Sequence, residues 1–203
     1  MSAAPLLMRR RTEVFEMATA ASSGSEASTI SRQAVRGLLM GGGAGVLASL
    51  VMAMFAMLAG ATLLHSGFFT PLYRIAATFV GPDAMVQSMR AATAGQLFTF
   101  IAAPAVLGAL VHMMVGAGYG AVFGLIVDRV RLRGVALVGA ALVWGLAVFA
   151  VSTWIALPVS AALFGGGDPV RNMAAAAGYG PFAVQHLIYG AALGLLLLKP
   201  ANR

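Results

Sequence analysis

The chain has 203 residues, of which 60% are hydrophobic and 9% charged, with a net charge of +7 and no cysteine. Ordinary soluble domains are about 25% charged, so a soluble fold of this composition would lack the polar surface to stay in solution. The absent cysteines exclude disulfides, thiolate catalysis and iron–sulfur ligation. The positive charges flank apolar runs and form no concentrated basic face, which argues against nucleic acid as a partner.

Residues 1–33 are polar and rich in Ser, Ala and Thr. They cannot bury enough apolar surface to fold alone and are expected to form a disordered cytoplasmic tail, leaving 34–203 as the membrane domain. The run Met8-Arg9-Arg10-Arg11 has no apolar stretch close behind it and no small-residue cleavage site at signal-peptide distance. It reads as a topology anchor that can touch anionic lipid. Arg10 to Met17 could add a turn or two of amphipathic helix there.

Crossing the hydrocarbon core takes about 20 mostly apolar residues. Four stretches without Asp, Glu, Lys or Arg meet that length, at about 37–64, 104–126, 135–162 and 181–198. Lipid cannot satisfy an open strand, so all four are predicted helices, and the fold class is an all-α bundle of four transmembrane helices. One side of the bundle carries ten basic residues, Arg9, Arg10, Arg11, Arg32, Arg36, Arg129, Arg131, Arg133, Lys199 and Arg203, against three on the other, Arg74, Arg90 and Arg171. The excess of Lys and Arg marks the cytoplasmic side. Both termini are therefore expected inside and the two long loops outside.

The first span holds Gly41, Gly45, Ser49 and Ala53 at a spacing of four, one face of a helix. Helices gain little hydrophobically by associating in lipid, so such small-residue stripes predict close backbone packing, within the chain or against another subunit. The outward segment 65–97 is long and apolar. Thr70-Pro71 starts a helix and Gly81-Pro82 stops it, with an expected apolar face of Leu72, Tyr73, Ile75, Ala76, Phe79 and Val80 around Arg74. This predicts an interfacial or re-entrant helix, with Asp83 capping a second one through Gln87, Met89 and Arg90. The second span carries a further stripe, Gly108, His112, Gly116, Gly120 and Gly124. In the third span, Trp154 suits the interfacial region and Trp144 lies deeper, packed between helices. The second outward loop, 164–180, includes Asp168 and Arg171. Both outward loops read as lids over the bundle; a substrate or partner platform, with Tyr73, Arg74, Asp83, Asp168 and Arg171 on its surface, is the alternative.

The fourth span contains His186, Gly190 and Gly194, the same spacing as His112, Gly116 and Gly120. With the similar lids, this suggests a duplicated helix hairpin related by an axis along the membrane normal; chance recurrence of His and Gly in apolar helices is the alternative. An ionisable group inside a span is a functional candidate, and neutral imidazole ligates haem iron, zinc and copper. His112 and His186, completed by His65, Asp83 or Asp168, are therefore the candidate haem or transition-metal site. The competing reading has each histidine hydrogen-bonded to a carbonyl or hydroxyl of a facing helix, with no cofactor. No HExxH motif occurs and no Gly-rich stretch ends in Gly-Lys-Ser/Thr. No carboxylate lies within a span, which argues against a proton or sodium relay.

The stretch His186-Leu187-Ile188-Tyr189-Gly190-Ala191-Ala192-Leu193-Gly194, with the glycine-rich opening span around Ser49 and Met52, resembles small bacterial four-helix membrane proteins of the YagU-like group. The resemblance covers two of the four helices and implies a multi-pass fold in the bacterial cytoplasmic (inner) membrane, with no active-site residues to transfer. Without a catalytic constellation, the leading expectation is a non-enzymatic accessory or scaffold subunit that packs beside other membrane subunits or itself. A haem- or metal-binding redox protein and a small transporter are the alternatives, and an enzyme acting on lipid is the least supported.

Overall fold

The computed structural model describes the backbone of residues 4–198 and the side chains of 32–198. The tail arginines Arg9 to Arg11, the stretch Arg10 to Met17 as an amphipathic face, and the terminal Lys199 and Arg203 lie outside the described side chains. Among the described residues the fold is all-α. Helix α1 runs Ala4–Thr62, and Arg32–Thr62 is its apolar, span-length part. The segment expected as a disordered tail is thus helical backbone from Ala4 onward. Ala, Leu, Met, Arg and Glu dominate its first turns, Pro5 stands where a helix tolerates proline, and Gly24 is the one glycine before Gly37.

After α1 come the short lid helices α2 (Thr70–Val80) and α3 (Asp83–Thr93), then the second span α4 (Ala102–Val130). The third span, Gly134–Phe164, consists of α5 (Gly134–Val151), a π-helical turn at Ser152–Ala156, and α6 (Leu157–Phe164). Pro158 explains the turn: it lacks an N–H, and its ring crowds the carbonyl four residues earlier, at Trp154. Widening to a π turn relieves both faults. Two five-residue helices, α7 (Gly167–Arg171) and α8 (Met173–Ala177), make the second lid, and α9 (Tyr179–Leu197) is the fourth span. The four spans lie within a few residues of the predicted ones.

α1 is the centre of the bundle. It packs along α4 on one side and α9 on the other, and α9 packs along α5. α4 and α5 touch only sparingly, with Phe123 and Trp144 meeting at 5.8 Å between ring centroids. Ala44, Ala48, Met52, Phe123, Leu137, Ala141, Tyr189 and Leu193 form the shared core. Large apolar side chains face outward, among them Leu39, Met114, Val135 and Leu163. That inversion of the soluble pattern is what a bilayer requires: this is a multi-pass membrane protein.

The α1–α4 contact is a run of glycines. Gly41 lies against the carbonyl of Gly120, Gly45 against that of Gly116, and Gly124 against that of Gly37. A Cβ placed on Gly120 would sit 2.7 Å from the Cα of Gly45, closer than real side chains come. At this separation Cα–H groups meet carbonyls across the interface. The α5–α9 contact repeats the device. Gly145 meets the carbonyl of His186, Gly190 meets that of Ala141, and Gly194 abuts Ala141 and Val138. In both pairs the helices are antiparallel, and the histidine stands one turn on the lid side of the glycine contact. Both antiparallel pairs, α1 with α4 and α5 with α9, thus close on small residues, and each pair is joined through a lid segment. Gly108 departs from its stripe: it receives the carbonyl of Leu72, so it seats α2 rather than α1.

The lid helix α2 is packed against the protein, chiefly on α4. Leu72, Tyr73, Ala76, Ala77 and Thr78 are buried, while Phe79 and Val80, expected on the buried face, are exposed. The Tyr73 hydroxyl donates to the Thr99 carbonyl (2.9 Å) and accepts from the Ile101 N–H (2.7 Å), which pins the lid to the start of α4. Burial pushes this phenol above its ordinary pKa, against the lowering effect of the Ile101 bond.

Candidate functional site

Beneath α2 the four spans line a cavity of about 370 Å³ that is open on one side. It exists because α4 and α5 part company above Phe123 and Trp144, and α2 spans the space they leave. All four spans contribute to its lining: Ser49 and Met52 from α1, His112 and Tyr119 from α4, Ser152 and Ala156 from the π turn, and Gln185 and His186 from α9. Arg74, Ile75, Thr78 and Phe79 of α2 form the roof. Most of the wall is aliphatic or aromatic, so the few polar groups define what the cavity can recognise.

His112 Nε2 lies 3.0 Å from the Ser49 carbonyl, and His186 Nδ1 lies 2.8 Å from the Phe182 carbonyl. A carbonyl only accepts, so the ring nitrogen facing it bears the proton. In the neutral rings this leaves Nδ1 of His112 and Nε2 of His186 as bare acceptors. The His186 ring is further held edge-on by Phe182 and Phe149, at 4.7 and 5.8 Å between centroids. Below them the Tyr189 hydroxyl donates to the Gly116 carbonyl (2.7 Å), tying α9 to α4.

Gln185 is 6% exposed, lines the cavity, and makes no side-chain hydrogen bond among the described residues. Arg74 is the one formally charged side chain lining the cavity among the described residues. Burial alone lowers its pKa from the ordinary value, and no carboxylate lies against it among the described residues.

The structure brings His112 and His186 to one cavity and leaves the other proposed ligands elsewhere. His65 is exposed in the turn after α1, in left-handed backbone (φ 48°), and does not line the cavity, although Leu64 and Ser66 do. Asp83 at the start of α3, and Asp168 and Arg171 in α7, are exposed and do not line the cavity that holds both histidines. Among the described residues no three His, Asp or Glu side chains stand together in a way that could hold a metal ion. Two imidazole nitrogens fall short of the three or four protein ligands that zinc takes.

Gln185 and the π turn escape a reading of motifs, yet both leave a trace. Gln185 is the one side-chain amide within the predicted spans, and Pro158 is a helix breaker inside the third. Comparison with family models, with curated proteins and with solved structures finds no match for the chain. The function is therefore argued from the cavity alone.

Proposed function

We propose that this protein is a membrane-embedded binding protein for an apolar small molecule, held between the four spans beneath the α2 lid. The cavity supports this reading. Ligand sites are concave, mostly apolar, and carry a few placed polar groups, with volumes of about 300–1,000 Å³; this one lies near the lower end of that range. Gln185 and the two bare imidazole nitrogens supply the polar groups. On the charge asymmetry of the loops, the chamber belongs to the outer leaflet half of a bacterial cytoplasmic membrane.

The small-residue stripes that favour an accessory or self-associating subunit are occupied within the chain. Gly41, Gly45, Gly116, Gly120 and Gly124 face one another, and Gly190 and Gly194 face α5, so they offer a partner no groove. A small transporter would use the same chamber and adds to the binding reading a second, opposite opening.

The test is native mass spectrometry of the full chain extracted gently from its membrane, set beside Ala156→Trp, which fills the chamber, and Ala175→Trp, which alters an exposed position on α8. The expected result is a defined small-molecule adduct on the wild type and on Ala175→Trp that is lost from Ala156→Trp. An adduct that survives in Ala156→Trp, or a wild type that binds nothing when supplied with apolar compounds, would refute the assignment.

A further inference from the structure

The chamber is asymmetric in charge and in exposure. Arg74 stands in its roof, half-buried and without a carboxylate against it among the described residues. A guanidinium held in this way is a strong donor to planar or tetrahedral oxyanions. The lining also reaches the lipid-facing surface. Met114 and Val115 of α4 are 70% and 50% exposed, and Phe164 of α6 is 56% exposed, yet all three line the same cavity. α4 and α6 do not close on one another there, and Phe164 meets Phe79 of α2 across the top of the gap at 4.9 Å between ring centroids. The apolar chamber therefore has a cationic end under the lid and a mouth on the bilayer.

We propose that the occupant is a single-chain anionic amphiphile drawn sideways from the bilayer, its carboxylate or phosphate head on Arg74 and its chain in the apolar chamber between α4 and α6. The assignment rests on the chamber being a ligand site. Gln185, 6% exposed and unpartnered among the described residues, donates its amide N–H to head-group oxygens. One chain fits where two do not, given a cavity of about 370 Å³.

The experiment uses the full chain in nanodiscs of zwitterionic lipid and three probes with one alkyl chain: hexadecanoic acid, hexadecyl phosphate and hexadecanol. Binding is read by native mass spectrometry and by titration. The acid or the phosphate is expected to bind about tenfold or more tightly than the alcohol, the worth of one charge-assisted hydrogen bond. Whichever of the two binds better identifies the head. Arg74→Gln is expected to erase that preference, and Arg74→Lys to restore part of it. Equal binding of acid, phosphate and alcohol to the wild type would overturn the anionic head while leaving the chamber as a ligand site. So would a preference that persists in Arg74→Gln. Binding of none of the three would overturn both.

Discussion

Tyr73 shows how much of this fold hangs on single polar atoms. Its ring is 1% exposed, and its hydroxyl serves two backbone groups at once, the Thr99 carbonyl and the Ile101 N–H. Tyr73→Phe keeps the buried ring and removes only the oxygen, so both backbone groups lose their partner. An unsatisfied buried group costs about 1–3 kcal/mol, and a loss of that size is expected in thermal unfolding of the purified protein, together with faster proteolysis of the 94–101 connection. A melting curve identical to wild type would show that the lid is held by packing alone. Residue-scale features were unevenly legible in the sequence. His112 and His186 stand out because ionisable groups are rare in spans; the fold pairs His112 with the Ser49 carbonyl of facing α1 and His186 with the Phe182 carbonyl of its own helix. Gln185 and Arg74 acquire meaning only from the cavity around them. Arg74 reads as a surface charge on a lid until α2 is seen to be packed down on α4.

At the scale of the helices, glycine spacing announces close packing without naming the partner. Gly41, Gly45, Gly116 and Gly120 form stripes visible in the sequence, but only the fold shows that they face one another and that Gly108 faces Leu72 instead. Periodicity locates a face; tertiary contact decides what covers it. The same limit explains α2, whose apolar face suggested Phe79 and Val80 on the buried side. Its docking against both α4 and the second lid buries Ala77 and Thr78 in their place. The glycine contact predicts a sharp difference between near neighbours on α4. Gly120→Ala would drive a methyl against the carbonyl of Gly41 and to 2.7 Å from the Cα of Gly45, and neither backbone can yield cheaply. Overpacking of that kind costs about 1–3 kcal/mol. Gly118 has nothing within 4 Å of a new Cβ, so Gly118→Ala is expected to be neutral or to stabilise by up to about 1 kcal/mol through helix propensity. Parallel melts in one detergent decide it, and equal shifts for the two variants would contradict the packing.

At the scale of the molecule, the class and the four spans were readable because length and hydropathy are properties of the chain alone. The chamber was not, because an internal cavity is produced by the crossing of four helices and the bending of one. Pro158 widens the third span where the wall is needed, and the sparse α4–α5 contact leaves the interior open. Which leaflet the chamber serves follows from orientation, and the native absence of cysteine makes that directly measurable. Arg133 joins α4 to α5 at one end of the bundle, Arg171 lies in α7 at the other, and both side chains are exposed. The excess of arginine around residues 129–133 predicts that end to be cytoplasmic. With an impermeant maleimide on intact cells, Arg171→Cys is expected to label fully and Arg133→Cys to label only after the membrane is opened. Each substitution removes one positive charge from its own side, leaving nine against three for Arg133→Cys and ten against two for Arg171→Cys, so neither is expected to invert the protein. The reverse labelling pattern would move Arg74 and the chamber to the cytoplasmic leaflet, and with them the pool of anionic amphiphiles from which the site could draw.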